Sequence, residues 1–351
     1  MRILALTILL VGAPFLAAEK EPEPPASNAD RPKATGGATA DPYEVVRGMT
    51  ISCPQAGRVW ESDAMVETMR KLKSLGVNWV TIHPYAGIRK DGTVGGGLFS
   101  EPSSMKRPIE EAHRLGLKIM IKPHLAYWGS GFSWRGDITF ETKEQWSRFF
   151  STYESWITWL AEICGDADAF VVGTELDQTA GFEDHWRRII KNVRAKTRAP
   201  LTYSAGWDSY EKIGFWDALD VIGIQSYFPL VDHEGLPTPQ ELETSWSRLV
   251  ERLDAYAGRH NRKIVLGELG YNRSSTAALR PWEYQQGGDD DEETQRRCLS
   301  AALRAIKRSD AIVGAFLWKW FPGEMKGGNF LKSTPAMREV IRTHWGHSED
   351  S

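Results

Sequence analysis

Amphipathic and wholly apolar segments alternate along most of the chain. Apolar residues at helical spacing over 65–75 predict a helix that ends at Gly76, because glycine readily adopts the left-handed conformation at a helix end. Residues 77–83 are mostly apolar or β-branched, and they predict a buried strand directly afterwards. A loop rich in aromatic residues follows, and the same order then recurs towards the carboxyl terminus.

Eight strand segments can be counted in this way. They cover residues 44–52, 77–83, 117–124, 169–175, 201–205, 220–227, 264–268 and 311–318. Helices are predicted at 65–75, 105–115, 146–163, 184–195, near Trp216, and at 241–256, 292–307 and 336–345. Helices that alternate with apolar strands indicate a parallel sheet, and eight such units match a single (β/α)8 TIM barrel of the α/β class. An open, doubly wound sheet is the alternative, although no glycine-rich phosphate loop follows the first strand.

The amino-terminal residues have a different composition. Arg2 precedes an apolar run over residues 3–18, which is shorter than the ~20 residues of a membrane-spanning helix. We interpret residues 1–18 as a signal peptide, with a membrane anchor as the alternative. Residues 19–40 are rich in Pro, Ala, Glu and Gly and predict a disordered linker. Residues 41–346 then form the barrel domain, and we expect a secreted or periplasmic protein with no integral membrane span.

Composition and charge narrow the class of ligand. The 351 residues include 43 Lys and Arg against 46 Asp and Glu, which gives a formal net charge of −3. The chain has no excess of basic residues that would neutralise a phosphate backbone, so we predict that nucleic acid is not a partner. The 15 tryptophans are more than a core needs. Their flat, amphipathic rings suit ligands with apolar faces and polar edges, and sugars are such ligands. We expect a monomer that binds a polysaccharide or oligosaccharide.

Two glutamates are the candidate catalytic residues. In a (β/α)8 barrel the active site lies at the carboxyl ends of the strands, and Glu175 and Glu268 end the fourth and seventh predicted strands. These strands lie on opposite sides of the barrel, so two inward-facing side chains could face each other across a central cleft. Glycoside hydrolysis needs such a pair, one carboxyl as acid and the other as nucleophile or base. The alternative is that each glutamate forms a buried ion pair with Lys122 or an arginine.

Aromatic and polar side chains at the other strand ends are candidates for substrate binding. On an extended strand Trp318 and Trp320 would point the same way. We interpret one of them as the floor beneath a sugar ring, with packing between barrel and helix as the alternative. His83 and His124 could suggest a metal site, but no His-x-His closes the first strand, and we predict no metal and no cofactor. The predicted substrate-binding residues are His83, Tyr85, Lys122, His124, Trp128, Trp207, Tyr227, Trp282, Trp318 and Trp320.

Several of these segments resemble a known family. The strings KPHLAYWG, VVGTELDQT, FWDALDVIGIQSYFPL and LGELGY are similar to sequences of glycoside hydrolase family 113, a clan A family of (β/α)8 β-mannanases. The resemblance covers residues 45–345. It implies that Glu175 is the acid/base, that Glu268 is the nucleophile, and that Tyr227 hydrogen-bonds the nucleophile. Thr174 is a departure, because many clan members have Asn before the acid/base, and it leaves open which group binds the sugar 2-hydroxyl.

The resemblance implies a retaining, endo-acting β-mannanase that cleaves β-1,4-mannan by double displacement with the two glutamates. Retention requires the carboxyl groups to be ~5–5.5 Å apart, and Glu175 must hold a raised pKa in order to donate a proton. A β-glucanase or other hemicellulase on the same scaffold is a second hypothesis. A third is a non-catalytic barrel that binds carbohydrate, since a fold alone does not determine function.

Overall fold

A computed structural model describes residues 45–53, 57–95, 102–284, 289–323 and 329–346 of the chain. The predicted signal peptide (residues 1–18) and linker (residues 19–40) lie outside these ranges. Within the ranges, no helix combines the length and the apolar character that crossing a membrane requires.

Eight parallel strands form a closed barrel. Each barrel strand pairs with its neighbours in chain order, and the first strand pairs with the last. Two short strands, β3 (Tyr85–Gly87) and β5 (His124–Ala126), pair with each other outside the barrel. The barrel strands are β1 (Val46–Ile51), β2 (Trp79–Ile82), β4 (Lys118–Ile121), β6 (Ala169–Thr174), β7 (Leu201–Gly206), β8 (Ile222–Ser226), β9 (Ile264–Leu269) and β10 (Ile312–Trp320). The prediction of a (β/α)8 barrel is therefore confirmed.

Seven α-helices accompany the barrel in the described part of the chain. They are α1 (Asp63–Ser74), α2 (Pro102–Arg114), α3 (Lys143–Ile163), α4 (Glu183–Arg194), α5 (Pro239–His260), α6 (Glu292–Ile306) and α7 (Pro335–Trp345). The helix predicted near Trp216 is wrong, because β7 is followed by two 3₁₀ turns, Tyr210–Lys212 and Trp216–Ala218. Gly214 lies between the turns, and glycine disfavours an α-helix by about 1 kcal/mol relative to alanine.

Two separate apolar layers show which way the strand side chains point. Phe170 and Leu266 belong to a large cluster that also contains residues of the surrounding helices. Their chain neighbours belong to a smaller cluster in the barrel interior, which consists of Val46, Trp79, Met120, Ala169, Val171, Val221, Val265 and Phe316. This division follows from the two-residue period of a strand. The carboxyl ends of the strands therefore stand above a packed apolar floor.

Three barrel strands lose the regular alternation near their carboxyl ends. Relative to a neighbouring strand, β6, β9 and β10 each contain one extra residue, within 171–174, 266–268 and 317–320 respectively. An extra residue of this kind bends the strand and re-aims the side chains that follow, and such bulges are common next to active sites. The side chains that end these three strands therefore do not follow the simple inward and outward pattern.

Gly48 on β1 offers a test of how the barrel closes against β10. A Cβ at this position would lie 2.3 Å from the Phe316 ring, so Gly48→Ala should lower the free energy of unfolding by about 1–3 kcal/mol, the usual cost of overpacking. Gly181→Ala is the matched control, because beyond Gly181 and its two chain neighbours nothing lies within 4 Å of the corresponding Cβ. Urea unfolding compares the two variants, and equal stabilities would contradict the close packing of β1 on β10.

Candidate active site

A cleft of about 510 Å³ opens at the carboxyl ends of the barrel strands. Glu175, which directly follows β6, and Glu268, on β9, both line it, so the fold brings the two predicted glutamates into one cleft. A volume of this size is typical of small-molecule sites. The described residues that line the cleft are Tyr127, Trp134, Arg135, Glu175, Gly206, Trp207, Asp208, Tyr227, Glu268, Trp282, Tyr284, Trp318 and Phe330.

Glu268 is a buried carboxylate whose two oxygens are both held. Lys122 Nζ donates a hydrogen bond to Oε1 over 2.6 Å, and Tyr227 Oη donates to Oε2 over 2.6 Å. His124 Nε2 lies 3.8 Å from Oε1. Burial lowers the pKa of Lys122, and the adjacent Glu268 carboxylate opposes that change. The ion pair and the phenol hydrogen bond together compensate the cost of burying the carboxylate and fix its orientation.

The bulge on β9 aims Glu268 into the cleft. In a regular strand Glu268 would share the outward side with Leu266, which packs in the layer between barrel and helices. The extra residue between them reverses the direction of the Glu268 side chain. Gly267 occupies the bulge, where a Cβ would lie 2.8 Å from Ser204 Oγ and 2.9 Å from the Gln225 side-chain oxygen. The absence of a side chain at Gly267 therefore allows this local backbone path.

Glu175 combines an unusual backbone conformation with a raised pKa. Its φ is 51°, in the left-handed region that residues with side chains rarely adopt, and strain of this kind is common at functional sites. Arg135 Nη1 donates to Glu175 Oε2 over 2.8 Å. Burial raises the pKa of Glu175 to about 7, while Arg135 opposes the rise and Glu268 adds to it. A carboxyl group that titrates near neutral pH is suited to act both as an acid and as a base.

Two neutral imidazoles pack against a tryptophan that lines the cleft. The rings of His83 and His124 stack with centroids 5.1 Å apart, and His83 Nε2 lies 2.8 Å from Ser52 Oγ. Burial lowers the pKa of both histidines well below the usual value, and nearby positive charges lower it further. Both rings also pack on Trp318, with centroid distances of 5.4 and 6.2 Å. The pair therefore supports the indole that borders the cleft.

Tryptophans border the cleft at two places. Trp318 lines it from β10, and the ammonium groups of Lys122 and Lys319 lie 5.1 and 5.0 Å from its ring centroid. Trp207 and Trp282 stack on each other with centroids 5.2 Å apart, and 43% of Trp282 remains exposed. Exposed indole faces of this kind can pack against the apolar faces of sugar rings.

The predicted substrate-binding residues fall into groups. Those that line the cleft are Trp207, Tyr227, Trp282 and Trp318. Those that do not line the cleft but contact lining residues or each other are His83, Tyr85, Lys122, His124 and Trp128. Among these, Trp128 is 60% exposed and packs on the ring of Tyr85 at 5.1 Å. Trp320 belongs to neither group.

The expectation that Trp318 and Trp320 point the same way is wrong. Trp320 is 3% exposed and packs in the apolar layer between barrel and helices, where Lys71 of α1 lies 5.8 Å from its ring centroid. The extra residue within 317–320 of β10 removes the alternation on which the expectation depended. Of the two indoles, Trp318 is the one that borders the cleft.

Arg135 and its neighbour Trp134 are lining residues that the sequence reasoning missed. Arg135 begins the 3₁₀ turn Arg135–Asp137, which lies well beyond the end of β5. Neither residue lies at the end of a predicted strand, where the pattern of apolar residues indicates functional side chains, because both belong to a long loop. An available signal was the adjacent Trp and Arg in a loop on the active-site side of the barrel.

The described part of the chain holds no group of three or more His, Cys, Asp or Glu side chains that could bind a metal ion.

The ion pairs that were the alternative explanation for the glutamates are both present. Glu268 pairs with Lys122 and Glu175 pairs with Arg135. Both carboxylates nevertheless line the cleft, where a ligand can reach them. The ion pairs are therefore part of the site, and they do not exclude acid, base or nucleophilic chemistry at the two glutamates.

The raised pKa of Glu175 predicts a pH dependence of stability. Between its ordinary value of 4.5 and about 7, the folded protein keeps a proton that the unfolded chain releases, so this group lowers the free energy of unfolding as the pH rises. Glu175→Gln cannot ionise and removes that contribution. Urea unfolding should therefore show the variant gaining stability relative to the wild type as the pH rises from 4.5 to about 7. A constant difference between the two proteins would contradict the raised pKa.

A family model and two solved structures all relate the chain to one family of glycoside hydrolases. A model of glycoside hydrolase family 113 (GH113) matches residues 49–326, which is more than half of the chain. A solved GH113 β-1,4-mannanase complex has a TM-score of 0.77 at 22% identity, over 87% of this chain and 100% of that chain. A GH113 β-mannanase from Alicyclobacillus acidocaldarius, in complex with ManMIm, has a TM-score of 0.76 at 25% identity, over 87% of this chain and 99% of that chain.

A further comparison shows similarity in fold only, and another finds no match. A β-glucuronidase from Ruminococcus gnavus shares the barrel with a TM-score of 0.59 at 12% identity, over 86% of this chain and 50% of that chain. None of the curated proteins that were compared matches the chain. The family match spans the barrel that holds the two glutamates, and the chain therefore belongs to glycoside hydrolase family 113 and is a glycoside hydrolase.

Proposed function

We propose that the protein is a retaining, endo-acting β-mannanase in which Glu175 is the acid/base and Glu268 is the nucleophile. The observation that carries the proposal is the different surroundings of two carboxyl groups in one cleft. Lys122 and Tyr227 hold both oxygens of Glu268, whereas burial raises the pKa of Glu175 to about 7. Double displacement needs such a division between a fixed nucleophile and a group that can both give and take a proton.

In the first step, a Glu268 oxygen attacks the anomeric carbon while the Glu175 carboxyl group donates its proton to the glycosidic oxygen. The bond to the leaving sugar breaks, and a glycosyl ester forms on Glu268. The hydrogen bonds from Lys122 and Tyr227 orient the carboxylate before attack, so little conformational freedom is lost in the transition state. The Trp318 indole at the cleft surface supplies an apolar face for the sugar ring.

In the second step, the Glu175 carboxylate removes a proton from a water molecule that attacks the same anomeric carbon. The ester to Glu268 breaks, the sugar leaves with its original anomeric configuration, and Glu175 is again protonated. Arg135 lies 2.8 Å from Glu175 Oε2 and stabilises the carboxylate that this step requires.

The choice of mannan rests on the relatives. The Alicyclobacillus acidocaldarius GH113 protein is a β-mannanase and shares 25% identity with almost the whole of this barrel. A glucan or another hemicellulose is the alternative substrate for the same two glutamates. Assays on mannan, glucan and xylan oligosaccharides separate these hypotheses, and hydrolysis of glucan alone would contradict the proposal.

Substitution of the two glutamates tests the catalytic roles. Glu175→Ala should lower kcat/KM on mannan oligosaccharides by about 10²–10⁴-fold, the usual contribution of a general acid, and Glu268→Ala should lower it at least as far. Glu339→Ala is the control, because Glu339 forms an exposed ion pair with Arg342 on α7. Unchanged hydrolysis in both cleft variants would show that the site is wrong. A wild type that binds mannan oligosaccharides but never cleaves them would instead be a non-catalytic barrel.

The exposed tryptophan pair tests where the substrate binds. Trp282→Ala should raise KM several-fold, because an aromatic contact contributes about 0.5–1.5 kcal/mol. The melting temperature should stay nearly unchanged, because the residue is 43% exposed. Trp159→Ala on α3 is the matched control, since Trp159 is 39% exposed and does not line the cleft. Equal KM values in the two variants would place the substrate elsewhere.

We also propose that residues 1–18 direct export, so that the enzyme acts on mannan outside the cytoplasm as a secreted or periplasmic monomer. Support comes from the sequence alone, in the apolar run 3–18 and the polar linker that follows it. Amino-terminal sequencing of protein recovered from the host would locate the cleavage site, and a retained Met1 would contradict export through a cleaved signal.

A further inference from the structure

Arg135 places a buried positive charge directly against Glu175. Its side chain is 11% exposed, and Nη1 lies 2.8 Å from Glu175 Oε2. The guanidinium carbon lies 6.0 Å from the ring centroid of Tyr127, and both residues line the cleft. Arg135 comes from the loop after β5 and Glu175 from the end of β6, so the ion pair joins two separate segments at the cleft surface.

Among the described residues, Arg135 is the one side chain that hydrogen-bonds to Glu175. The other charged groups that influence the Glu175 carboxyl come from different elements, and none of them is paired with it directly. These groups are Lys122 beyond β4, Glu268 on β9 and Asp177 beyond β6, together with the phenol groups of Tyr203 on β7 and Tyr227 beyond β8. Burial favours the neutral carboxyl, and Arg135 is the largest influence in the opposite direction.

The contact with Arg135 is much stronger for one protonation state of Glu175 than for the other. A guanidinium ion forms a charge-assisted hydrogen bond with a carboxylate, and only a weaker contact with a neutral carboxyl group. The proposed mechanism uses the neutral form in its first step and the carboxylate in its second. Arg135 therefore favours the form that activates water, at the expense of the form that protonates the leaving group.

We propose that Arg135 is a positioning residue that holds Glu175 in the cleft, stabilises its carboxylate and thereby sets the upper pH limit of glycoside hydrolysis. This inference rests on the proposed role of Glu175 as the acid/base. It does not require contact between Arg135 and the substrate.

Arg135→Gln tests the inference through the pH profile of kcat/KM on a mannan oligosaccharide. The alkaline limb of this profile reports the free enzyme's essential acid, so in the wild type it should follow Glu175 at about 7. Loss of the positive charge destabilises the carboxylate and raises the pKa of Glu175. The limb should therefore move to higher pH by about 1 to 3 pH units, the usual influence of an adjacent arginine on a carboxyl group.

Arg135→Lys and Arg135→Met separate electrostatics from structure. Lysine keeps the charge and should leave the limb close to its wild-type position, whereas methionine is a second neutral variant that suits the buried site and should move the limb as glutamine does. Arg114→Gln is the matched control, because Arg114 forms an exposed ion pair with Glu111 on α2. That variant should leave the profile unchanged.

The outcomes distinguish this inference from the proposed function. If the neutral variants lose activity equally at every pH, or if Arg135→Lys moves the limb as far as they do, Arg135 has only a structural role and the inference is overturned. In that case hydrolysis of mannan by the wild type still supports the proposed function. A wild type with no activity on any of the oligosaccharides overturns the proposed function itself.

Discussion

The burial of two carboxyl groups above an apolar barrel is the constraint on which the site depends. Such burial is costly unless charged or hydrogen-bonding partners compensate it. Lys122 and Tyr227 compensate Glu268, and Arg135 only partly compensates Glu175, whose pKa stays raised at about 7. Each carboxyl group meets one cation, but Glu268 also accepts a hydrogen bond from the Tyr227 phenol, and burial outweighs Arg135 at Glu175. These different surroundings suit the two groups to different chemistry within one cleft.

The barrel supplies these partners through local departures from regularity. One extra residue in β9 turns Glu268 inward, and the left-handed backbone at Glu175 directs the chain out of β6. The extra residue within 317–320 separates Trp318, at the cleft, from Trp320, in the layer beneath the helices. Regular strands provide the packed floor, and irregular strand ends orient the side chains above it.

These departures explain how far the sequence could predict the structure. The period of apolar residues predicts the barrel, because strands and helices differ in period and the barrel needs both faces of each strand buried. Glu175 and Glu268 were predictable because acidic residues at the ends of apolar strands are costly unless paired or used. Trp320 was misplaced because a bulge leaves no mark in the apolar pattern. Arg135 was missed because it lies in a long loop after β5, and its position beside Glu175 depends on a contact between residues distant in sequence.

The central claim is that Glu268 and Glu175 cleave a β-linked mannan by double displacement. The most direct test is proton NMR of a mannan oligosaccharide digest, recorded before the product anomers equilibrate. Double displacement predicts that the β-anomer of the new reducing end appears first, because two inversions restore the original configuration. If the α-anomer appears first, a single inversion has taken place, and Glu268 cannot be the nucleophile.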